Sequence, residues 1–410
     1  MATLFPFRAL LPRAAEATAI ASVPYDVVTT DEARALAADN PLSFLRVSRA
    51  EIELPAGTDP YAAAVYERAS QNFARLRASS LGLEAQPSVY LYRQTLGAHV
   101  QTGVAACFSL DEYESGVIKK HERTRPDKED DRTRHMLALG AQTGPVFLVH
   151  RATAEVDTIT RRASSGTPII DFAAADSVRH TLWRVGQADR DALVAAFERI
   201  PALYIADGHH RAASAARARA AVRAGRARGG NLADGADPNT MLAVAFPHDQ
   251  PQILPYNRVV KDLNGMTPGG FFAAVSEAFT VSPGGPTPER RGEIALFVEG
   301  AWRILRPRVA SDSSDPIASL DVSMLQDRLL APVLGIADVR TDKRIDFVGG
   351  ARGSAALEEI VRSGRAAVAF SLYPVSVTDL MAVSDAGDIM PPKSTWFEPK
   401  LRDGLLVHLI

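Results

Sequence analysis

The residues best equipped for chemistry in this chain sit together at Ala206-Asp207-Gly208-His209-His210-Arg211, between the short apolar run Leu203-Tyr204-Ile205-Ala206 and an Ala-rich, helix-favouring stretch from Ala212 to Arg226. A strand, a tight glycine turn and a helix in that order leave the first backbone N–H groups of the helix without intrahelical partners, and such an end attracts anions. Gly208 and His209 are expected to line that end. Arg211 offers a two-pronged guanidinium to a phosphate, so its loss is expected to weaken binding rather than folding. His210 supplies a second donor or a proton-transfer group, and Asp207 orients a histidine, a hydroxyl or a magnesium ion. The plainer reading of the same residues is a helix capped by Asp207, with histidines that pack or face water.

A second constellation runs through Lys119-Lys120-His121-Glu122-Arg123-Thr124-Arg125-Pro126-Asp127-Lys128 and on to Asp131, Arg132, Arg134 and His135. Charge runs of this kind are usually solvated faces. Here both signs are mixed with two histidines and a proline break, a pattern closer to an active-site loop than to a plain helix face. Glu122 is placed to act as a general base, while Arg125, Lys128, Arg132 and His135 can neutralise a phosphorylated ligand. A third group, Pro391-Pro392-Lys393-Ser394-Thr395-Trp396 with Lys400 beyond it, offers Lys393, Ser394 and Thr395 as an anion clamp or else a surface turn anchored by Trp396. No set of ligands for a particular metal stands out, because adjacent His209 and His210 at a helix start point about 100° apart and do not chelate one ion as an i, i+4 pair would.

These groups need a scaffold, and the pattern along the chain supplies a mixed α/β one. Thr29-Thr30-Asp31-Glu32 reads as a capped helix start. Tyr61 to Leu81 carries apolar residues at helical spacing. Ser88 to Gln94 and Val100 to Leu110 flank Gly97-Ala98 as a hairpin. Further strands are expected at Val146 to His150, Pro168 to Phe172, Val178 to Val185, Met241 to Phe246 and Ile253 to Val260, with a helix over Asp189 to Arg199 and a Gly-rich insertion over Gly225 to Asn239. Pro283-Gly284-Gly285-Pro286-Thr287-Pro288 reads as a linker, so the expected division is an N-terminal and central α/β region at 1–280, holding the phosphate-binding core, and a C-terminal α+β region at 281–410.

Composition narrows the function classes. The 410 residues are 46% hydrophobic and 23% charged, the balance of a folded globular protein. With 46 basic and 48 acidic side chains there is no positive field to draw the chain onto a polyphosphate backbone, which argues against nucleic acid as a partner. A single cysteine, Cys107, excludes an internal disulfide and a Cys-based zinc site and fits the reducing cytoplasm. The start of the chain lacks the signature of a secretory signal, and no apolar run approaches the roughly 18 residues of a membrane span.

Five segments in order, Pro24-Tyr25-Asp26-Val27, Lys119 to Asp131, Asp207 to Arg211, Leu254-Pro255-Tyr256-Asn257-Arg258 and Pro391 to Lys400, resemble the bacterial and archaeal family known as domain of unknown function number 1015. Its Asp-Gly-x-His-Arg turn is in turn similar to the nucleotide-binding turn of the ParB and sulfiredoxin-like superfamily, which includes free serine kinases, CTP-dependent partition proteins and sulfinic-acid reductases. Gly208, His210 and Arg211 match the kinase-like form. The resemblance implies a ParB/sulfiredoxin-like core with additional α+β lobes. It also implies a nucleotide, ATP or ADP, with Mg2+ as cofactors, and phosphoryl transfer to a small hydroxyl-bearing metabolite such as serine. The alternatives are a non-catalytic nucleotide sensor and a metal-dependent phosphoester hydrolase. The sulfinic-acid branch needs a catalytic cysteine beside the turn, which Cys107 is not.

Overall fold

The hairpin anticipated around Gly97 forms between the Tyr90–Leu96 and His99–Ser109 strands, with Gly97 in the left-handed region at φ +58°, a conformation that costs glycine no Cβ clash. It lies inside a mixed sheet of nine strands, counted among the described residues. The order is Ile118–Lys119, Leu203–Asp207, Val146–His150, Thr240–Pro247, His99–Ser109, Tyr90–Leu96, Arg179–Arg184 and Ile170–Ala173, with Leu4–Phe5 also paired to His99–Ser109. The structure, a computed structural model, describes residues 1–225, 234–309 and 315–410. Most of the expected Gly225 to Asn239 insertion therefore lies outside the described residues.

The register at one edge of this sheet positions the site. Leu203–Asp207 pairs in parallel with Ile118–Lys119, Leu203 opposite Ile118 and Tyr204 opposite Lys119, and its antiparallel pairing with Val146–His150 shifts between Ile205 and Asp207. Parallel strands in register leave the sheet at the same end, so the chain following Lys119 and the chain following Asp207 emerge side by side. The His209–Arg223 helix then packs back with Ala212, Ala215 and Ala218 buried in one cluster with Leu148, Ile205, Ala243 and Ala245. Small side chains on that face let the helix lie close to the sheet.

The polar stretch expected as a loop is mostly a helix, Pro126–Leu139, and the irregular part is confined to 120–125. Pro126 sits in the first turn, where its missing N–H leaves no bond unmade, and Gly140 at φ +61° ends the helix. This helix runs parallel to His209–Arg223. Residue numbers rise together along the contact: the Arg125 N–H meets His210, the Ser214 hydroxyl donates to the Glu129 carbonyl, and Arg217 pairs with Glu129 and Asp130. Against Pro126–Leu139 packs the Ala63–Ser79 helix, whose buried Val65, Tyr66, Ala69, Phe73 and Leu76 follow the helical spacing read from the sequence. Upstream, Thr29 closes a capping box with Glu32 at the start of Thr30–Ala37.

Two compact units divide the chain, Met1–Pro251 together with Pro399–Ile410, and Gln252–Glu398. The C-terminal segment enters the first unit as a strand, His408–Leu409 against Ala141–Gln142, with bridges from Val407 to Leu10 and from Asp403 to Ser22. The second unit holds a six-stranded antiparallel sheet, in the order Phe279–Pro283, Ala301–Pro307, Ile294–Val298, Val368–Leu372, Tyr256–Val260 and Ile345–Gly349. Its Gly353–Arg362 helix buries Leu357 with Val259, Phe297, Val348 and Ala369. The Pro-rich segment at 283–288 joins Phe279–Pro283 to Ile294–Val298, both of which pair with Ala301–Pro307, so a boundary at 280/281 falls inside this sheet. A hydrophobic sheet cannot be divided there without exposing its inner face.

Candidate functional site

Gly208 is the N-cap of the His209–Arg223 helix at φ +93°, ψ 29°, a backbone that L side chains rarely adopt. A Cβ there would also stand 2.9 Å from Arg211 Nε, so the position excludes a side chain on two grounds. No side chain caps this helix, and none caps Pro126–Leu139 beside it. Asp207 does not act as the cap. Its carboxylate accepts from Lys400 Nζ at 3.2 Å and lies 3.7 Å from Arg211 Nη2. Burial pushes the Asp207 carboxyl up, but the Lys400 and Arg211 charges outweigh it and hold the group well below the usual carboxylate range.

The two histidines after Gly208 diverge. His209 is buried, accepts the His121 N–H on Nε2 at 3.4 Å, and places Nδ1 3.7 Å from Glu122 Oε2. Its ring meets that of His121 edge to face, centroids 4.4 Å apart. Burial, with His121 beside it, drives the His209 imidazole far below its ordinary value, and burial takes His121 down to about 4, so both rings are neutral at pH 7. His210 is half-buried and accepts the Arg125 N–H on Nε2 at 3.1 Å. Glu122 remains 47% exposed. The expected meeting of the 119–135 segment with the Asp207–Arg211 turn is thus present in the fold.

The Arg211 side chain is turned inward. It is buried, with one Nη2 facing Asp207 and Nη1 donating to the Pro145 carbonyl, and Nε is a buried donor without a partner. Its fork is engaged by the protein, because the strand register places Asp207 and Pro145 on either side of it. Arg132 is likewise occupied, bonding Asp131 at 2.8 Å with its guanidinium 4.0 Å from the Tyr25 ring centre. His135 is buried and hydrogen-bonded through Nε2 to the Val47 carbonyl at 2.9 Å, and burial pushes its imidazole down to about 4. Both side chains are bonded within the protein. Arg125, 70% exposed and paired with Asp127, and Lys128, whose Nζ donates to Tyr61 Oη at 2.7 Å, are at the surface.

Lys393, Ser394 and Thr395 belong to the second unit. There the Lys393 carbonyl accepts from buried Arg258 at 2.9 Å, the Lys393 ammonium lies 5.3 Å from the Tyr256 ring, and the Ser394 hydroxyl donates to Pro391. The member of that segment that reaches the turn is Lys400, carried in by the C-terminal return. With it comes Asp403, which the sequence reading did not single out. Burial, reinforced by Asp26 and opposed by Arg211 and Arg132, pushes its carboxyl up to about 7. The signals in the sequence for this centre were the family-like segments that hold Tyr25-Asp26 and Lys400.

The site can be tested against its expected cofactors. Two helix N-termini meeting at one end suit the phosphates of a nucleotide. For Mg2+ the donors do not fit. The described residues that group within metal-binding reach are His121, Glu122 and His209, two imidazoles and a single carboxylate, whereas Mg2+ takes an octahedron of oxygens. The carboxylate of the turn itself, Asp207, is held by Lys400 and Arg211. Cys107 is buried in the His99–Ser109 strand, and burial pushes its thiol up, away from the reactive thiolate.

Fold and site define a mixed α/β protein in which a glycine turn and two parallel helix ends face a half-exposed glutamate. The chain belongs to the family described as Protein of unknown function (DUF1015), whose profile matches residues 4–323. None of the curated proteins matches it. Among solved structures it is similar to a free serine kinase in complex with AMP, at 14% identity and TM-score 0.36, over 73% of this chain and 90% of that one. A conserved hypothetical protein from Pyrococcus furiosus matches at 15% identity and TM-score 0.36, over 74% and 95%. SbnI with a C-terminal truncation, from Staphylococcus aureus, matches at 12% identity and TM-score 0.39, over 74% and 87%. At these scores the function of this chain rests on its own residues. No helix among the described residues is long and apolar enough to cross a membrane.

Proposed function

We propose that the first unit is a nucleotide-dependent phosphotransferase acting on a small hydroxyl-bearing metabolite, serine or a related compound, on a ParB/sulfiredoxin-like core. The observation that carries this reading is the meeting of two parallel helix N-termini, His209–Arg223 and Pro126–Leu139, neither capped by a side chain, where Glu122 stands 47% exposed. Each end presents first-turn N–H groups and partial positive charge to the same place, which suits the charge on a transferring phosphoryl group. Arg125 and Lys128 add cationic charge at the rim. The choice of a nucleotide as donor follows from the resemblance of the Asp207–Arg211 turn to that superfamily.

In the step itself the acceptor oxygen bonds to phosphorus as the bond to the leaving nucleotide phosphate breaks. The hydroxyl proton passes to Glu122. Asp207 is the poorer base because Lys400 and Arg211 hold its carboxylate. His210, with Nε2 accepting from Arg125, carries its proton on Nδ1 and can donate to a phosphate oxygen.

The test is a phosphorus NMR screen of ATP, ADP, CTP and pyrophosphate against hydroxyl metabolites that include serine. A new phosphomonoester resonance is expected with one pair, and Glu122→Gln is expected to slow its appearance by about 10²–10⁴-fold while calorimetry shows nucleotide still bound. Nucleotide binding without product from any pair would leave a sensor in place of an enzyme. Absence of nucleotide binding would remove the reading altogether.

A further inference from the structure

His121 is one of the least accessible polar side chains in the first unit, 2% exposed, and it is held in one tautomer. Its ring hydrogen-bonds the Ile205 carbonyl, and since Nδ1 is a buried atom without a hydrogen-bond partner, that bond is made by Nε2–H. Nδ1 therefore carries a lone pair with no protein donor to meet it. A buried acceptor left in this state costs free energy unless something binds there.

Its surroundings supply the rest of a ligand set. His209 is 4% exposed with its ring 4.4 Å from that of His121, and Glu122 Oε2 lies 3.7 Å from His209 Nδ1. One donor atom from each of His121, Glu122 and His209 can be chosen so that all lie within 4.8 Å of one another. Ligands held at about 2.0–2.2 Å from one ion stand roughly 3.3–3.6 Å apart, so the three donors would draw together by no more than about 1.5 Å, and Glu122 is the member nearest solvent. Ligation through His209 Nδ1 puts the ring proton on Nε2 and gives up the His121 N–H to His209 Nε2 bond, which at 3.4 Å is long and therefore weak. The Ile205 carbonyl behind His121 is the kind of outer partner that fixes a metal-bound imidazole.

We infer that His121, Glu122 and His209 form a three-ligand site for a divalent transition metal of the zinc class, rather than the Mg2+ expected from the sequence. Two neutral imidazoles and one carboxylate select zinc, cobalt or iron(II) over magnesium. Three protein ligands leave a fourth position for water or substrate, on the side where Glu122 reaches solvent. The parallel pairing of Ile118–Lys119 with Leu203–Asp207 builds the site, because it delivers residues 88 positions apart to one end of the sheet. The site, once loaded, lowers the basicity of Glu122, as Lys400 and Arg211 do for Asp207, and its ion, by acidifying a hydroxyl at the open position, would take over the part given to Glu122. It rests on the same Glu122 as the functional reading but not on the reaction.

The test uses tag-free full-length protein stripped with a chelator. Cobalt(II) added to it is expected to bind one ion per chain and to give visible absorption bands of a four- or five-coordinate ion, displaced stoichiometrically by zinc and not by millimolar magnesium. Glu122→Gln, at the half-exposed position, is expected to fold as wild type in a thermal melt and to weaken cobalt binding at least about tenfold. His121→Asn is expected to abolish the bands. Should it not fold, Glu122→Gln alone decides. Absence of the bands in wild type, an unchanged cobalt affinity in Glu122→Gln, or magnesium competing on equal terms would each overturn the inference. Calorimetry with nucleotide on the metal-free protein is read separately, so loss of the metal site and loss of the phosphotransferase reading are distinguishable.

Discussion

Two parts of the first unit use the same kinds of residue to opposite ends. Behind the glycine turn, Asp207, Arg211, Arg132 and Asp403 are turned inward and engaged by the protein, while in front of it Glu122, His210, Arg125 and Lys128 keep contact with solvent. Burial raises both carboxyls of the inner group. Only Asp207 has Lys400 at 3.2 Å to reverse that, whereas Asp403 is left at about 7. The difference teaches that charge type in a motif says little about availability, and that a partner within hydrogen-bond reach decides whether a buried carboxylate stays ionised.

Removing the centre of the inner group should have the largest effect. Arg211→Ala leaves Asp207 and Asp403 without their shared cation, and breaking such a buried pair is expected to cost about 3–5 kcal/mol, read as lost hydrogen-exchange protection along the His209–Arg223 helix. A variant as protected as wild type would return Arg211 to the ligand-facing role. Next in size is a pH effect. The folded pKa of Asp403 lies above its unfolded value of 3.8, so its contribution is fully present below about pH 4 and is lost as the pH rises through about 7. Asp403→Asn should flatten that decline in denaturant unfolding measured from pH 4 to 8. Asp207, with its carboxyl held down, works in the opposite direction, its contribution being present above about pH 4 and lost as the pH falls below it. Equal slopes in wild type and Asp403→Asn would show that the two carboxylates are not distinguished by burial.

At the outer group the stability effects shrink. His210→Ala removes the acceptor for the Arg125 N–H and should cost about 1 kcal/mol, visible as faster exchange of the Arg125 amide. Glu122→Gln should change stability by no more than about 0.5 kcal/mol, the ordinary range for exposed substitutions, while it removes turnover. A large destabilisation by Glu122→Gln would move that residue into the inner group and break the contrast.

Much of the fold was legible because it follows local rules. The Gly97 hairpin, the Ala63–Ser79 helix with its buried stripe, and the strand, glycine and helix at Leu203–Asp207, Gly208 and His209–Arg223 each carry their own periodicity or turn residue. The Pro126–Leu139 helix was missed because its buried face is made from Asp131, Thr133 and His135 as well as Met136 and Leu139. Those polar groups are satisfied, Asp131 by Tyr66 and Arg132, Thr133 by the Glu129 carbonyl one turn back and His135 by the Val47 carbonyl, so no apolar stripe marks them as inward. The Pro-rich segment at 283–288 read as a boundary for a related reason: a loop between strands of one sheet and a linker between units have the same composition.

By itself, then, the sequence determined the mixed α/β class, the glycine turn and the helix that starts from it, since these depend on neighbours a few residues apart. Tertiary structure alone decided which charges are turned inward and which keep contact with solvent. The parallel register of Ile118–Lys119 with Leu203–Asp207 set His121 and Glu122 against His209, and the return of Pro399–Ile410 brought Lys400 and Asp403 to Asp207 and Arg211. Both are contacts between segments far apart in the chain, and no local pattern encodes them, because each depends on a strand pairing whose partner is fixed only when the whole sheet is assembled.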